Sequence, residues 1–203
     1  ANGDVIASTK VLTSANVRDG VVPALDAVMA ECDISGDDIE AVMIGTTQFT
    51  NAVVERRSLH ETAIIRVALP SGEMVPPMCD WPDDIADALG RHVYMIHGGR
   101  TYDGFPIAPL DEDEIDRVID DLAAKDIGLV AIAAVFSPSD PAQEHYVAKR
   151  LAERLPAARV TLSHSIGRMG LLERENAALL NASLLPLADR VVASFGDALA
   201  ARG

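Results

Sequence analysis

Hydroxyl and amide side chains crowd a stretch of eight residues that begins at Gly45. The stretch follows the apolar residues 41–44, which predict a buried strand, and a helix is predicted to begin near Thr47. Thr50 and Asn51 lie three and four residues beyond Thr47, so the three side chains share one helix face. Ligands of open α/β sheets bind at the carboxyl ends of strands, where a helix start also offers free N–H groups to anions. The pattern predicts a small-molecule site whose members are Gly45, Thr46, Thr47, Thr50 and Asn51.

A second polar segment follows the strand predicted at Arg159–Ser163. His164 comes directly after this strand and shortly before the turn at Gly167. An imidazole at that edge of the sheet is predicted to face the cleft as a general acid or base. The alternative is an ordinary surface histidine, and the other four histidines are interpreted in that way because none has metal-ligand spacing.

The helix predicted to follow carries an arginine and two asparagines. Arg174 and Asn181 are seven residues apart and therefore nearly eclipsed, with small residues between them. Asn176 lies three residues after Glu173 and forms a neighbouring polar edge. An arginine and an asparagine bordered by small residues predict a clamp for a carboxylate, a phosphate or an imide. An exposed helix stabilised by ordinary i,i+4 pairs explains the same residues, so both interpretations stay open.

A third strand end is followed by a capping signal. Asp140 fits a helix N-cap, Pro141 fits the first helical position, and Gln143 fits the partner residue of a capping box. Capping leaves Ser137 and Ser139 unexplained, so a ligand role for these two hydroxyls stays open.

The elements that must position these residues alternate along the whole chain. Strands interleaved with helices of ten or more residues predict βαβ units and a largely parallel sheet, which is an α/β fold. Irregular stretches rich in proline and glycine indicate an inserted subregion at about 70–110, within a single domain of residues 1–203. The predicted strands are Val5–Val11, Ala41–Ile44, Ala63–Ala68, Val93–Ile96, Leu129–Phe136 and Arg159–Ser163. The predicted helices are Val17–Cys32, Thr47–Ser58, Asp83–Leu89, Asp113–Lys125, Pro141–Leu155, Gly170–Leu184 and Pro186–Ala201.

The composition of the chain excludes some classes of binding partner. Hydrophobic residues make up 49% of the 203 positions, which is enough for a sizeable core, and the formal net charge is −14. Negative charge of that size argues against nucleic acid or an anionic membrane as a partner. The acidic run at 111–126 predicts the solvated face of an amphipathic helix rather than a metal cluster. The sequence has no signal peptide and no apolar run of about 18 residues, so a cytoplasmic location is expected.

Several of these segments together resemble a known family. The strings Gly45–Thr47, Thr50–Ala52 and Glu55–Arg57 are similar to the N-terminal region of the hydantoinase/oxoprolinase family. Residues 137–144 and 173–182 follow in the order that the family shows. The resemblance implies a ribonuclease-H-like fold of the actin and sugar-kinase group.

The resemblance also implies an ATP-dependent enzyme that requires Mg²⁺. Family members are ATP-dependent 5-oxoprolinases, N-methylhydantoinases and large subunits of acetone-type carboxylases. The implied chemistry is phosphorylation of an amide or enolate oxygen followed by hydrolysis or carboxylation, which rests on positioning and on stabilising phosphoryl charge. The expected activity is the opening of a cyclic amide or imide ring, with Arg56 added to the substrate contacts and a hydantoinase B-type partner subunit. A ketone carboxylase subunit and a non-catalytic metabolite-binding module of the same fold are the alternatives.

One departure from the family pattern concerns the phosphate-binding segment. Family members begin with an aspartate and paired glycines followed by threonine, whereas the nearest string here is Asn2-Gly3-Asp4. We therefore expect the chain to supply the substrate-side wall of a cleft, to fold, and not to hydrolyse ATP by itself.

Overall fold

A computed structural model describes residues 4–12, 18–35, 38–43 and 47–200 of the chain. The chain divides into two compact units, which we call the sheet unit (Thr47–Leu187) and the terminal unit (Ala1–Thr46 with Ala188–Gly203). Within the described ranges the strands are β1 (Ala63–Leu69), β2 (His92–His97), β3 (Leu129–Ala134) and β4 (Arg159–Leu162). The helices are α1 (Arg18–Cys32), α2 (Gln48–Glu55), α3 (Asp83–Ala88), α4 (Glu112–Ala124), α5 (Ala142–Arg154), α6 (Ser163–Ile166) and α7 (Leu171–Ala200).

The four strands form one parallel sheet in the order β2-β1-β3-β4. The register places Ile65 of β1 beside Tyr94 of β2 and Ile132 of β3. Because all four strands run in the same direction, their carboxyl ends meet at one edge. This arrangement confirms the predicted α/β fold with a parallel sheet, and the predicted subregion at about 70–110 contributes α3 and the edge strand β2.

The two faces of the sheet carry separate apolar layers, because successive side chains of a strand point to opposite faces. One layer packs β1 and β3 against α4 and α5, with Ile65, Ile132, Ile119 and Leu151 at its centre. The other packs Ile64 and the small residues Ala131 and Ala133 against α3 and the first half of α7. Burial of each large aliphatic side chain in such a layer contributes about 1.5–3 kcal/mol. Alanines on both β3 and α7 let that helix lie close to the sheet.

Two predicted strands are wrong in the described residues. Residues 5–11 and 41–43 are not strands, and Val5 and Met43 are 85% and 94% exposed. An apolar, β-branched pattern forms a strand only when a neighbouring strand takes up its backbone hydrogen bonds. None of β1–β4 pairs with these segments. Ile44, which was predicted to end the second strand, lies outside the described residues.

The last helix differs from its prediction in continuity. Two helices were predicted with a break before Pro186, whereas α7 runs unbroken through that proline. Proline removes one backbone donor, and a long helix can absorb that loss. By length and composition alone, residues 171–196 are long and apolar enough to span a membrane. Within this segment Ala178, Leu179 and Ala182 belong to the core of the sheet unit.

Candidate functional site

Glu144 is a buried carboxylate at the carboxyl ends of β3 and β4. It lies in the first turn of α5 and is fully excluded from solvent. Its Oε1 accepts hydrogen bonds from the backbone N–H of Ala134 (3.0 Å) and from the Ser163 hydroxyl (2.6 Å). Its Oε2 accepts one from the backbone N–H of His164 (3.2 Å) and lies 2.6 Å from His164 Nδ1. The carboxylate is therefore saturated by the protein, which offsets the cost of its burial.

His164, the predicted acid or base, occupies the one-turn helix α6 immediately after β4. Its side chain is 19% exposed. The ring of His145 meets it edge to face at 4.9 Å and an interplanar angle of 65°. Glu144 holds one ring nitrogen, and within the described part of the chain Nε2 has no protein hydrogen-bond partner. An imidazole held in this way can exchange a proton with a ligand through Nε2.

Arg174 is buried rather than exposed on the face of a helix. Its Nε donates to Ser163 Oγ (2.8 Å) and its Nη2 donates to the carbonyl of Ala134 (2.6 Å). Its Nη1 faces the three consecutive carbonyl oxygens of residues 168–170 at 2.9–3.2 Å. Burial lowers the pKa of this guanidinium, and the negative charges of Glu144 and Glu175 oppose that shift.

These contacts correct the predicted clamp. Arg174 is 1% exposed, whereas Asn181 is exposed and its Oδ1 accepts a hydrogen bond from the Thr161 hydroxyl at 3.3 Å. Asn176 is half-buried. The arginine and the asparagines therefore do not present one shared ligand-facing surface, because the guanidinium turns inward to hold the turn at 168–170. Arg174 holds together the end of β3, the start of α6 and the turn at 168–170.

A buried ion pair lies next to this network along α7. Arg66 of β1 and Glu175 of α7 form two parallel hydrogen bonds, Nη2–Oε1 at 2.5 Å and Nε–Oε2 at 2.6 Å. Arg66 Nη1 also donates to the carbonyl of Val75. Burial raises the pKa of the Glu175 carboxyl, and the Arg66 guanidinium opposes that shift. Sequence reasoning missed Arg66, although an arginine inside an otherwise apolar strand is a signal that a buried partner exists.

The polar face predicted on α2 is present and points to solvent. Thr47, Thr50 and Asn51 are all exposed, whereas Ala52 on the opposite face is buried. Thr47 occupies the N-cap position without a side-chain capping bond. Gly45 and Thr46, the first two residues of this predicted site, lie outside the described residues.

Arg56 ends α2 and is occupied by the protein. It adopts a left-handed backbone conformation (φ 52°) and its Nη1 donates to the carbonyls of Val53 (3.0 Å) and Val54 (2.8 Å). Its Nε pairs with Asp84 of α3 at 2.8 Å. These bonds give Arg56 a structural role at the helix end, in place of the substrate contact that the family resemblance implied.

The third strand end differs partly from its prediction. The N-cap of α5 is Pro141 and not the predicted Asp140, which lies one residue earlier and whose Oδ1 accepts from the backbone N–H of Ala142 at 3.0 Å. Gln143 does not complete a capping box, because its Oε1 accepts from the backbone N–H of Gly99 at 2.6 Å and so ties α5 to the segment after β2. The Ser137 hydroxyl is fully buried and has no hydrogen-bond partner within the described ranges.

The described residues do not fit a magnesium nucleotide. A polyphosphate needs uncommitted cations or a backbone N–H cradle, and its Mg²⁺ needs oxygen ligands. The buried guanidiniums of Arg66 and Arg174 are held by the protein, as described above. In the part of the chain that the structure describes, no three histidine, cysteine, aspartate or glutamate residues form a group suited to a metal ion.

Comparisons with known proteins agree on the relatives of the chain. Residues 1–155 match the family model described as the hydantoinase/oxoprolinase N-terminal region. The caprolactamase subunit alpha of Pseudomonas jessenii is 25% identical over 206 residues, which cover 87% of this chain and 27% of that protein. The name of that relative makes it one subunit of a larger assembly.

Two solved structures resemble the chain in fold. A nucleotide-free structure of acetone carboxylase, an enzyme of ATP-dependent acetone carboxylation, gives a TM-score of 0.70 at 18% identity, over 94% of this chain and 30% of that one. The ATP-dependent caprolactamase of Pseudomonas jessenii gives 0.68 at 20% identity, over 92% and 29%. The chain therefore spans less than a third of the length of these relatives. Their likeness confirms the predicted actin-type, ribonuclease-H-like fold class.

The family match contains two of the segments on which the resemblance rested. Residues 45–57 and 137–144 lie inside the matched residues, whereas residues 173–182 lie beyond their end. The relative from Pseudomonas jessenii covers more of the chain than the family model does. The chain belongs to the hydantoinase/oxoprolinase family, and its residues 1–155 correspond to the N-terminal region of that family.

Proposed function

We propose that the chain is the substrate-side part of an ATP-dependent hydrolase that opens a cyclic amide or imide ring. The observation that carries the hydrolytic reaction is His164, an imidazole that a buried carboxylate holds at the carboxyl end of β4 with Nε2 unbonded by the protein. The cyclic amide class is supported by the caprolactamase relative, which aligns with 87% of the chain. Hydantoin, 5-oxoproline and lactams are the substrates of this class that we propose to test.

The residues of this chain account for the water-dependent part of ring opening. Nε2 of His164 takes a proton from a water molecule while the water oxygen forms a bond to the ring carbonyl carbon. The C–N bond then breaks, and the same nitrogen returns the proton to the departing ring nitrogen, which balances the addition of one water. A ring whose oxygen carries the phosphoryl group would leave this step as an acyl phosphate, and a second water would release inorganic phosphate and the free carboxylate. A positioned base of this kind contributes about 10²–10⁴-fold to a rate.

The exposed face of α2 is proposed to bind the polar edge of the ring. Thr47 and Thr50 offer hydroxyls, and Asn51 offers both a donor and an acceptor, which matches the alternating C=O and N–H groups of a cyclic amide. We propose Gly45 and Thr46 as further members of this surface. ATP and Mg²⁺ would be held elsewhere in the complete enzyme, since the described residues do not fit them, and a partner subunit of the hydantoinase B type is proposed from the relative named subunit alpha.

A ketone carboxylase subunit is the second candidate, and the structural likeness to acetone carboxylase favours it. In that reaction the polar face of α2 would hold the oxygen of an enolate, and bicarbonate would be consumed. The two candidates therefore differ in their requirement for bicarbonate.

A substrate screen on the complete enzyme separates the two reactions. ADP release is measured with hydantoin, 5-oxoproline, caprolactam-type lactams and small ketones, each with and without bicarbonate. We expect turnover with a cyclic amide that does not depend on bicarbonate. Turnover with ketones alone that requires bicarbonate establishes the second candidate, and no turnover with either class rejects both.

A variant of the α2 surface connects the screen to the site. Asn51→Ala should raise KM or lower kcat by about 10-fold, which corresponds to about 1.4 kcal/mol for one lost ligand hydrogen bond. The melting temperature should stay unchanged, because the side chain is exposed. Val54→Ala, also exposed on α2 (65%) but apolar, is the matched control and should leave the kinetics unchanged. Equal kinetics for the two variants would remove the α2 surface from the proposed site.

A further inference from the structure

We propose that Glu144 is a positioning residue that fixes the protonation pattern of His164. The inference deepens the proposed function and rests on it for the role of His164 in proton transfer. Glu144 itself touches no substrate, because it is fully buried beneath α6. Its effect on the reaction therefore passes through the imidazole.

The hydrogen bonds of Glu144 determine which ring nitrogen carries the proton. A carboxylate can only accept hydrogen bonds, so a nitrogen 2.6 Å from Oε2 must be a donor. Nδ1 of His164 therefore carries a hydrogen, and in the neutral imidazole the lone pair lies on Nε2. That nitrogen is the one left unbonded by the protein, so the contact selects the tautomer in which Nε2 is a base.

The other contacts of Glu144 keep the carboxylate in the accepting role. The backbone N–H groups of Ala134 and His164 cannot reverse their direction, and each donates to a different carboxylate oxygen. The Ser163 hydroxyl accepts from Arg174 Nε, so its own hydrogen is directed to Glu144 Oε1 at 2.6 Å. Arg174 thus sets the orientation of Ser163, and three fixed donors, one of them the backbone N–H of His164, surround the carboxylate before the His164 ring is considered.

The imidazole plane is held as well as its tautomer. Glu144 Oε2 contacts both the backbone N–H and the ring Nδ1 of His164, which restricts rotation about the side chain. The edge-to-face contact with the exposed ring of His145 at 4.9 Å limits rotation of the His164 ring further. The direction of Nε2 is therefore set by the protein before any ligand arrives, as efficient proton transfer requires.

A tautomer measurement tests the inference on the 203-residue chain. Nitrogen-15 NMR distinguishes a protonated ring nitrogen from one that carries a lone pair, at a pH where the imidazole is neutral. We expect Nδ1–H in the wild type. In Glu144→Gln the retained oxygen can serve Ala134 and Ser163, which turns the amide N–H group toward Nδ1 and reverses the pattern to Nε2–H. Glu114→Gln, at the exposed His97 pair, is the matched control and should leave the His164 signals unchanged.

The outcomes separate this inference from the proposed function. Nε2–H in the wild type overturns the inference, and this measurement decides even if Glu144→Gln does not fold. In the complete enzyme we expect Glu144→Gln to lower kcat about 10²–10⁴-fold with little change in KM. Full activity in a reversed tautomer overturns the positioning role while ring opening stands. An Nδ1–H wild type without ring opening in the substrate screen supports the tautomer and rejects the proposed function instead.

Discussion

Two carboxylate–histidine pairs occupy the same edge of the sheet and have the same local geometry. His97 ends β2 and pairs with Glu114 of α4, and His164 follows β4 and pairs with Glu144 of α5. In each pair Oε2 receives the histidine backbone N–H and approaches Nδ1. The two distances are 2.8 Å and 3.2 Å for Glu114, and 3.2 Å and 2.6 Å for Glu144. The motif is shared, and the surroundings differ.

Burial separates the two pairs. The side chains of His97 and Glu114 are 49% and 19% exposed, so water can replace either partner at little cost. Glu144 is fully buried and also accepts hydrogen bonds from the Ala134 N–H and the Ser163 hydroxyl, so water cannot replace these donors. The same type of contact therefore fixes a proton only where the carboxylate is buried and its other hydrogen bonds are already made. For this reason we propose the proton transfer for His164 and not for His97.

The largest expected difference between the pairs is in stability. Glu144→Ala removes the acceptor for the N–H groups of Ala134 and His164 and for the Ser163 hydroxyl. Because these donors stay buried, the free energy of unfolding should fall by about 3–5 kcal/mol. Glu114→Ala removes an exposed pair and should cost within about 1 kcal/mol. Urea denaturation of both variants measures the two values. Similar losses would contradict the assignment of a special role to burial.

A smaller effect is expected at the hydroxyl that joins the buried pair to Arg174. Ser163→Ala removes the bridge between Arg174 Nε and Glu144 Oε1 and should cost about 1–3 kcal/mol. Ser165 is the matched control on the same short helix, because its exposed hydroxyl bonds only the Leu162 carbonyl at 2.8 Å. Ser165→Ala should fall within about 0.5 kcal/mol of the wild type. Equal values for the two serine variants would remove the bridge from the network.

The sequence predicted the strands correctly where a segment with a strand pattern also has a neighbouring strand in the fold. Ala63–Ala68 and Leu129–Phe136 are apolar runs that lie in the middle of the sheet, and both formed strands within one or two residues of the predicted bounds. Val5–Val11 is also rich in β-branched residues but has no neighbouring strand among the described residues. Strand pairing is a property of two segments, so a pattern in one segment could not settle it.

The sequence predicted where candidate residues lie along the chain and on a helix face. It did not predict which buried side chains bond to one another. The place of His164 directly after β4 follows from the sequence pattern. The polar face of α2 follows from helical spacing alone, because residues 41–43 before it are not a strand. Glu144 was missed, because at the start of an amphipathic helix an acidic residue is ordinarily a solvated one that favours the helix dipole. Arg174 was predicted to face a ligand, whereas its side chain is buried. Spacing indicates that two residues share a face, but not whether that face is turned toward the core.

A third carboxylate tests whether the loss in the free energy of unfolding depends on the number of partners or on burial. Asp116 lies on α4, as Glu114 does, and two hydrogen bonds from Arg150 at 2.9 Å and 2.8 Å hold its pKa below the usual range, with Arg154 adding to the effect. It is therefore well paired but only half-buried, with 29% of its side chain exposed. If burial decides, Asp116→Asn should cost less at neutral pH than Ser163→Ala, although the aspartate has more charged partners than Ser163.

The pH dependence of the same variant has a defined sign. Because the folded-state pKa of Asp116 is lowered, its stabilisation is complete above the unfolded value of 3.8 and is lost as the pH falls through the folded value. The wild type should therefore lose stability more steeply than Asp116→Asn as the pH is lowered from about 5 to about 2. Added salt should reduce this difference, since screening acts on exposed pairs and spares buried ones. Parallel curves for the two proteins would show that the pair contributes nothing, and a loss that resists salt would place Asp116 with the buried carboxylates.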